Sequence, residues 1–191
     1  MLIFKDTILS LVASIQINSN DLFKIGDWIE APQFGADGDV VDIALHTVKI
    51  QNWDKTFSII PTHKLIDSAF RNWRGMSLSG GRRIKRSFLI DMNSIRLCDE
   101  RTLEKFRKFE LITKYIDLKQ KEVSNYNEGN DINTSEIING RSLTNIGTFR
   151  AYIEAYLRSS SSIHTDMTFL VRQLEPTEKG LPIQIYVFTN D

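Results

Sequence analysis

The sequence predicts an α+β protein in which a small domain of short, bent strands precedes a mixed domain of helices and strands. Three observations carry this reading. Between residues 22 and 73, short apolar segments at the strand period of two alternate with turn residues. Residues 103–116 and 148–158 instead repeat apolar side chains at helical spacing. Two β-prone segments, 167–174 and 182–189, then follow around a hairpin-like connection at Glu175 to Gly180.

In chain order, Met1 to Ile17 reads as an amphipathic helix. Phe4, Ile8, Leu11 and Ile15 recur at i, i+4, i+7 and i+11, while Asp6, Thr7, Ser10 and Ser14 gather on another face. Asn18 to Asp21 ends it. Gly26 is a turn glycine leading into a short strand at Asp27-Trp28-Ile29, and Gly38-Asp39 opens Val40 to His46. Val41, Ile43 and Leu45 share a face by alternation, so they are expected in the core and Asp42 in solvent. Thr47 to Gln51 continues the sheet, Asn52 to Lys55 turns the chain, and Thr56 to Ile60 forms the next strand. Pro61 closes that strand because it lacks the N–H a ladder needs. Such spacing predicts a small, strongly bent barrel or sandwich.

Arg71 to Gly81, with Gly75, Gly80 and Gly81, reads as a linker. The basic run Arg82-Arg83-Ile84-Lys85-Arg86 precedes a strand at 87–92 and has the composition of a solvated edge guard. Asp99 and Glu100 open a helix, whose apolar stripe runs through Leu103, Phe106, Phe109, Ile112, Tyr115 and Ile116. Lys119 to Gly140 is polar and rich in asparagine, so it is expected to be a long loop or insertion, more mobile than the flanking helices. Thr148 to Arg158 is a second amphipathic helix, ended by the serines at 159–162. The expected divisions are 1–21, 22–73 and 74–191.

Composition narrows the function classes. Lys and Arg total 24, as do Asp and Glu, and this balance argues against a dedicated nucleic-acid binder. The single cysteine, Cys98, excludes an internal disulfide framework. No stretch of about 18 apolar residues occurs, and the first residues do not read as a signal peptide because Lys5 and Asp6 interrupt the apolar run. His46, His63 and His164 stand at no metal-ligand spacing. Walker A, G-x-S-x-G and G-x-G-x-x-G patterns are absent. Cys98 precedes an acidic helix start, which disfavours a thiolate, and Asp39, Asp42 and Asp54 form no acid–base pair by pattern. Neither an enzyme nor a bound cofactor or metal is expected.

One set of motifs goes further. Gly26-Asp27-Trp28-Ile29, Gly38-Asp39-Val40-Val41-Asp42-Ile43-Ala44-Leu45, Asp54-Lys55 and Ile59-Ile60-Pro61-Thr62-His63-Lys64-Leu65 occur in that order. Together they resemble the small-conductance mechanosensitive channel family of bacteria (MscS-like), with Asn72 answering to the family's asparagine just beyond the barrel. The aromatic-rich variant and the 119–140 segment most resemble its miniconductance branch. The resemblance implies an Sm-like β-barrel followed by a ferredoxin-like α/β cytoplasmic domain whose last helix and strand would lie beyond Asp191. It makes residues 1–21 the end of a pore-lining helix in a channel fragment, with Leu2 and Asp6 as gate candidates. Asp6 and Ser14 stand where the family often carries hinge glycines. Gly26, Asp27, Gly38, Val40, Pro61 and Asn72 are the motif residues carried over. Further implications are a ring of seven identical subunits, lipid neighbours, a bacterial inner-membrane location with this part facing the cytoplasm, and tension-driven release of ions and osmolytes on hypoosmotic shock. A competing reading is a soluble barrel of the Sm or OB type joined to a ferredoxin-like domain, binding nucleic acid through the 82–86 run.

Overall fold

The structure, a computed structural model, describes residues 5–136 and 138–190 and divides into two compact units, Met1–Gly80 and Gly81–Asp191. The expectations for Leu2 and Phe4 fall outside the described residues.

The first unit begins with helix α1 (Lys5–Ser19). Strands β1 (Trp28–Ala31), β2 (Ala36–Ile43), β3 (Thr47–Asn52) and β4 (Phe57–Pro61) follow, then helix α2 (Thr62–Ile66), strand β5 (Arg71–Asn72) and helix α3 (Arg74–Leu78). The strands form one antiparallel sheet in the order β4-β3-β2-β1-β5. It is not a closed barrel: β5 supplies two residues, which pair with Ile29 and Glu30 of β1, and β4 and β5 remain the two edges. Ile17, Phe23, Ile29, Val40, Val48, Ile50, Ile60 and Leu65 make the core beneath it. Each such side chain contributes about 1.5–3 kcal/mol by leaving water.

Two expectations are reversed here. In β2 the buried residues are Ala36, Gly38 and Val40, whereas Val41 is 38% and Leu45 49% exposed. The cause is a bulge. Val40 pairs with Ile50 and Asp42 with Lys49, so Val41 has no partner across the ladder and the alternation slips by one. Ile43 thereby returns to pack half-buried on the core, Asp42 stays exposed as expected, and Leu45 lies past the strand in the turn to β3. The stretch 71–81 is likewise no bare linker, because it holds β5 and α3.

On α1 the side that packs inward carries Ser10, Ala13 and Ile17. Ser10, assigned by pattern to a polar outer face, is only 3% exposed, while Ile8 and Ile15 are each 59% and Leu11 47% exposed. Small side chains let the helix backbone approach α2 closely, so the helix seats on its less hydrophobic side and leaves its apolar stripe uncovered.

The second unit contains β6 (Arg82–Ile90), α4 (Glu100–Arg107), α5 (Thr113–Gly129), α6 (Asn145–Ser159), β7 (Leu170–Gln173) and β8 (Leu181–Thr189). Its sheet is antiparallel in the order β6-β8-β7, with β6 and β8 paired from Arg82↔Thr189 to Ile90↔Leu181. The basic run thus lies within an edge strand. Ile146, Ile153, Leu181 and Ile183 form one core cluster, and Cys98, Leu103, Ile112 and Ile116 another. The stripe expected as one helix is broken between Arg107 and Thr113. Lys108 and Phe109 donate to carbonyls three residues back, tightening the end of α4, and Thr113 Oγ donates to the Arg107 carbonyl. Asp99 caps α4 by accepting from Thr102 N–H at 2.8 Å.

The first half of the expected insertion loop is also helical, since α5 continues to Gly129 and, among the described residues, only 130–136 and 138–140 are irregular. Lys119–Glu122 and Ser124–Glu128 contacts stitch successive turns. Buried Asn127 then anchors the loop's far end: its amide donates to the Arg141 carbonyl at 2.9 Å and accepts from Arg141 N–H at 2.8 Å.

Candidate functional site

The family-motif residues converge where α1 ends and the sheet begins. Asp21 takes a positive φ of 48° past the end of α1, and Gly26, at φ 91°, turns the chain into β1. Gly26 N–H donates to the Val40 carbonyl at 2.8 Å and Val40 N–H to the Asp27 carbonyl at 2.9 Å, so the turn is sewn to β2. The Asp27 carboxylate faces inward and gathers donors. It accepts Lys24 N–H at 2.8 Å, the Asn72 side-chain amide at 3.2 Å, and Arg74 Nε at 2.9–3.0 Å to both oxygens. Arg74 also reaches Asp21 Oδ2 at 3.0 Å, and Asn72 donates to the Leu22 carbonyl at 2.9 Å.

Arg74 therefore clamps the end of α1 to the segment that leaves the sheet. Its hydrogen bonds hold the Asp27 carboxyl below the usual aspartate range against the opposing effect of desolvation. Asp21 is lowered too, first by Lys24. The Asp27 side chain is 11% and that of Arg74 24% exposed, so the pair is only partly screened by water.

Gly38 meets a steric demand of its own: a Cβ there would lie 1.9 Å from the Gln51 carbonyl oxygen. Val40 is a core residue, and Pro61 ends β4 and precedes α2. Gly26, Asp27, Val40 and Asn72 are thus brought into one network, while Gly38 and Pro61 act elsewhere in the sheet. Arg74 and Asp21 were missed by sequence reasoning. The available signal was an arginine two residues past Asn72 in a segment read as linker.

The seat of α1 is polar. Ser10 Oγ and His63 Nδ1 of α2 are 3.1 Å apart, and Ser14 Oγ lies 3.0 Å from both the Leu45 and the Ser10 carbonyls. Thr62, wholly buried beside His63, has a hydroxyl with no hydrogen-bond partner among the described residues. Asp6 stands exposed in the first turn of α1. On the sheet's outer side Trp28 stacks on Trp73 with centroids 4.9 Å apart, and Trp53 meets Trp28 edge-on. The Asp37 carboxylate accepts the indole N–H groups of both Trp28 and Trp53.

Among the described residues, no group of His, Cys, Asp or Glu could hold a metal ion, and no helix is long and apolar enough to cross a membrane. Cys98 is buried, and burial pushes its thiol up, away from nucleophilic reactivity.

Comparison with known proteins agrees with this geometry. Residues 6–75, which contain the whole network, match the family model of the mechanosensitive ion channel beta-domain. The small-conductance mechanosensitive channel MscMJ of Methanocaldococcus jannaschii is 35% identical over 71 residues, covering 37% of this chain and 20% of that protein. The large-conductance channel MscMJLR of the same organism is 36% identical over 63 residues, covering 33% and 17%. Among solved structures, Helicobacter pylori MscS in its closed state shares the fold with a TM-score of 0.54 at 16% identity, over 98% of this chain and 53% of that one. Arabidopsis thaliana MSL1 does so with a TM-score of 0.51 at 14% identity, over 97% and 48%. The protein thus spans about half the length of these structures, and its matches to the curated relatives cover a fifth of them or less. None of these relatives favours the nucleic-acid reading. Residues 6–75 are thus similar in sequence to the beta-domain of mechanosensitive ion channels, and the chain shares the fold of MscS-like channel structures.

Proposed function

We propose that the chain is the cytoplasmic part of a mechanosensitive ion channel, with α1 the end of its pore-lining helix. The observation that carries this is the inverted seating of α1. Its small and polar face, Ser10 and Ala13, packs inward with Ser10 against α2, and Ile8, Leu11 and Ile15 stay in solvent. A lone soluble helix gains nothing by exposing that stripe. In a ring of identical subunits, the same stripe meets a neighbouring helix or lipid. The exposed apolar edge of β4, with Phe57 and Ile59 outward, fits side-by-side packing of such subunits.

On this reading the protein is a homo-oligomer, a heptamer by analogy with its family, in a bacterial inner membrane with these two units on the cytoplasmic side. Tension favours the state of larger in-plane area, the pore helices swing outward, and ions and small osmolytes leave the cell on hypoosmotic shock. Leu2 and Asp6 stand at the gate and Asp6 and Ser14 at the hinge positions. Ser14 supports that assignment, since a hydroxyl bonded to the carbonyl four residues back bends a helix locally. The unit needs no cofactor and no nucleic acid.

Patch recording of the full-length protein tests this. Wild type should carry tension-gated current, and Leu2→Ser should open at lower tension because a hydroxyl makes an apolar constriction easier to wet. An unchanged threshold removes Leu2 from the gate, and a wild type without tension-gated current sinks the channel reading.

A further inference from the structure

The asparagine-rich loop that closes on Asn127 contains a reactive pair. Asn139-Gly140 is the only Asn-Gly step in the sequence. Both residues are exposed, and they lie in irregular backbone between α5 and α6. The fold itself demands this glycine. Gly140 has φ +71°, and a Cβ there would stand 2.5 Å from Asn127 Oδ1, the oxygen that holds Arg141 N–H. The asparagine is used as well, its side-chain amide donating to the Asn133 carbonyl at 3.0 Å. Two local needs of the loop thus place a carboxamide directly before an unhindered backbone nitrogen.

We propose that Asn139 is a site of spontaneous covalent modification. The Gly140 nitrogen attacks Asn139 Cγ, forming a new bond between them and closing a five-membered succinimide. The bond from Cγ to Nδ2 of the carboxamide breaks, and that nitrogen leaves as ammonia with the proton that Gly140 N gives up to solvent. Water then adds to either ring carbonyl, yielding an aspartyl or an isoaspartyl residue. The sum is one amide and one water converted to one carboxylic acid and one ammonia, with no oxidant or reductant. The Asn139 side chain is open to water, and no side chain follows on residue 140 to crowd the attack.

The protein holds its own control. Asp37-Gly38 is the corresponding acidic step and can form the same ring. It lies inside β2, Gly38 is paired with both Ile29 and Asn52, and Asp37 is held by two indole N–H groups. A residue fixed in a ladder cannot swing its backbone into ring geometry, so that site should stay intact.

Modification has a structural consequence. A carboxylate at 139 cannot donate to the Asn133 carbonyl, and the isoaspartyl form adds a methylene to the backbone just before Gly140. Both changes loosen the tie between Asn127 and Arg141.

The test is to age the folded protein in mildly alkaline buffer and to map peptides by mass spectrometry with an isoaspartate-specific methylation assay. The amide-to-acid mass gain should appear in the peptide carrying Asn139, at a rate within about tenfold of the urea-unfolded protein, as for an exposed loop of low local stability. Asp37 should remain unchanged, Asn139→Gln should abolish the gain, and the Arg141 amide should exchange faster in aged protein. Modification of the unfolded protein with none at Asn139 in the folded one overturns the proposal, as does a gain that persists in Asn139→Gln.

Discussion

Replacing Arg74 by Ala tests whether the clamp at the end of α1 holds the first unit together. The substitution removes all the Arg74 contacts to Asp27 and Asp21. Removing one partner of a fully buried pair costs about 3–5 kcal/mol, whereas an exposed pair contributes about 0–1 kcal/mol. With side chains 11% and 24% exposed, this pair lies between those limits, and Asp27 keeps its Lys24 and Asn72 donors. The expected loss is about 2 kcal/mol, which for a domain of this size lowers the melting point by about 8–16 °C. All three tryptophans, Trp28, Trp53 and Trp73, lie in the first unit, so intrinsic tryptophan fluorescence during urea unfolding reports that unit alone. The sign with pH follows from Asp27, whose folded-state value is lowered. Its contribution is present above the unfolded aspartate range and is lost as pH falls through the folded value. The gap between wild type and Arg74→Ala should therefore be full at neutral pH and vanish in strong acid. A loss below about 0.5 kcal/mol at neutral pH would show that the pair behaves as a solvated surface contact.

Three further outcomes are expected. Gly38→Ala should prevent folding of the first unit, because its methyl would overlap the Gln51 carbonyl; a natively folded variant by circular dichroism and fluorescence contradicts the close approach. Val40→Asp should unfold the unit by burying a charge while Val41→Asp leaves its midpoint within about 0.5 kcal/mol, and the opposite order would disprove the bulge. Asn127→Ala should release residues 130–140, measured as faster hydrogen exchange at Arg141 with residues 113–120 unaffected; equal protection would show that another contact closes the loop.

Much of this architecture was legible from local chemistry. Pro61, Gly26 and the Asn52–Lys55 turn have backbone requirements that the sequence states outright, and the strands around them fell near their expected bounds. What was not legible depends on partners distant in sequence. Val41 and Val40 are identical side chains in adjacent positions, and only the register against Ile50 and Lys49 decides which is buried. Ser10 looked solvent-facing because it is polar, yet small size and a histidine 53 residues away seat it against α2. The asparagines of 119–140 suggested a loop, but Asn127 works as an anchor whose partner lies across the turn at Arg141. Of the junction, Gly26, Asp27 and Asn72 could be named from their motif. Arg74 could not, since the charge it neutralises lies 47 residues earlier.

Which face of α1 is free decides between a pore-lining and a buried helix, and cysteine cross-linking in membranes containing the full-length protein measures that directly. Cys98 is buried, so background reaction is low. Single cysteines at Ile8, Leu11 and Ile15 should yield subunit-to-subunit cross-links, and cysteines at Ser10 and Ala13 should yield none. Cross-linking at Ser10 with silence at Ile8, Leu11 and Ile15 would contradict the seating of the helix and the channel reading built on it.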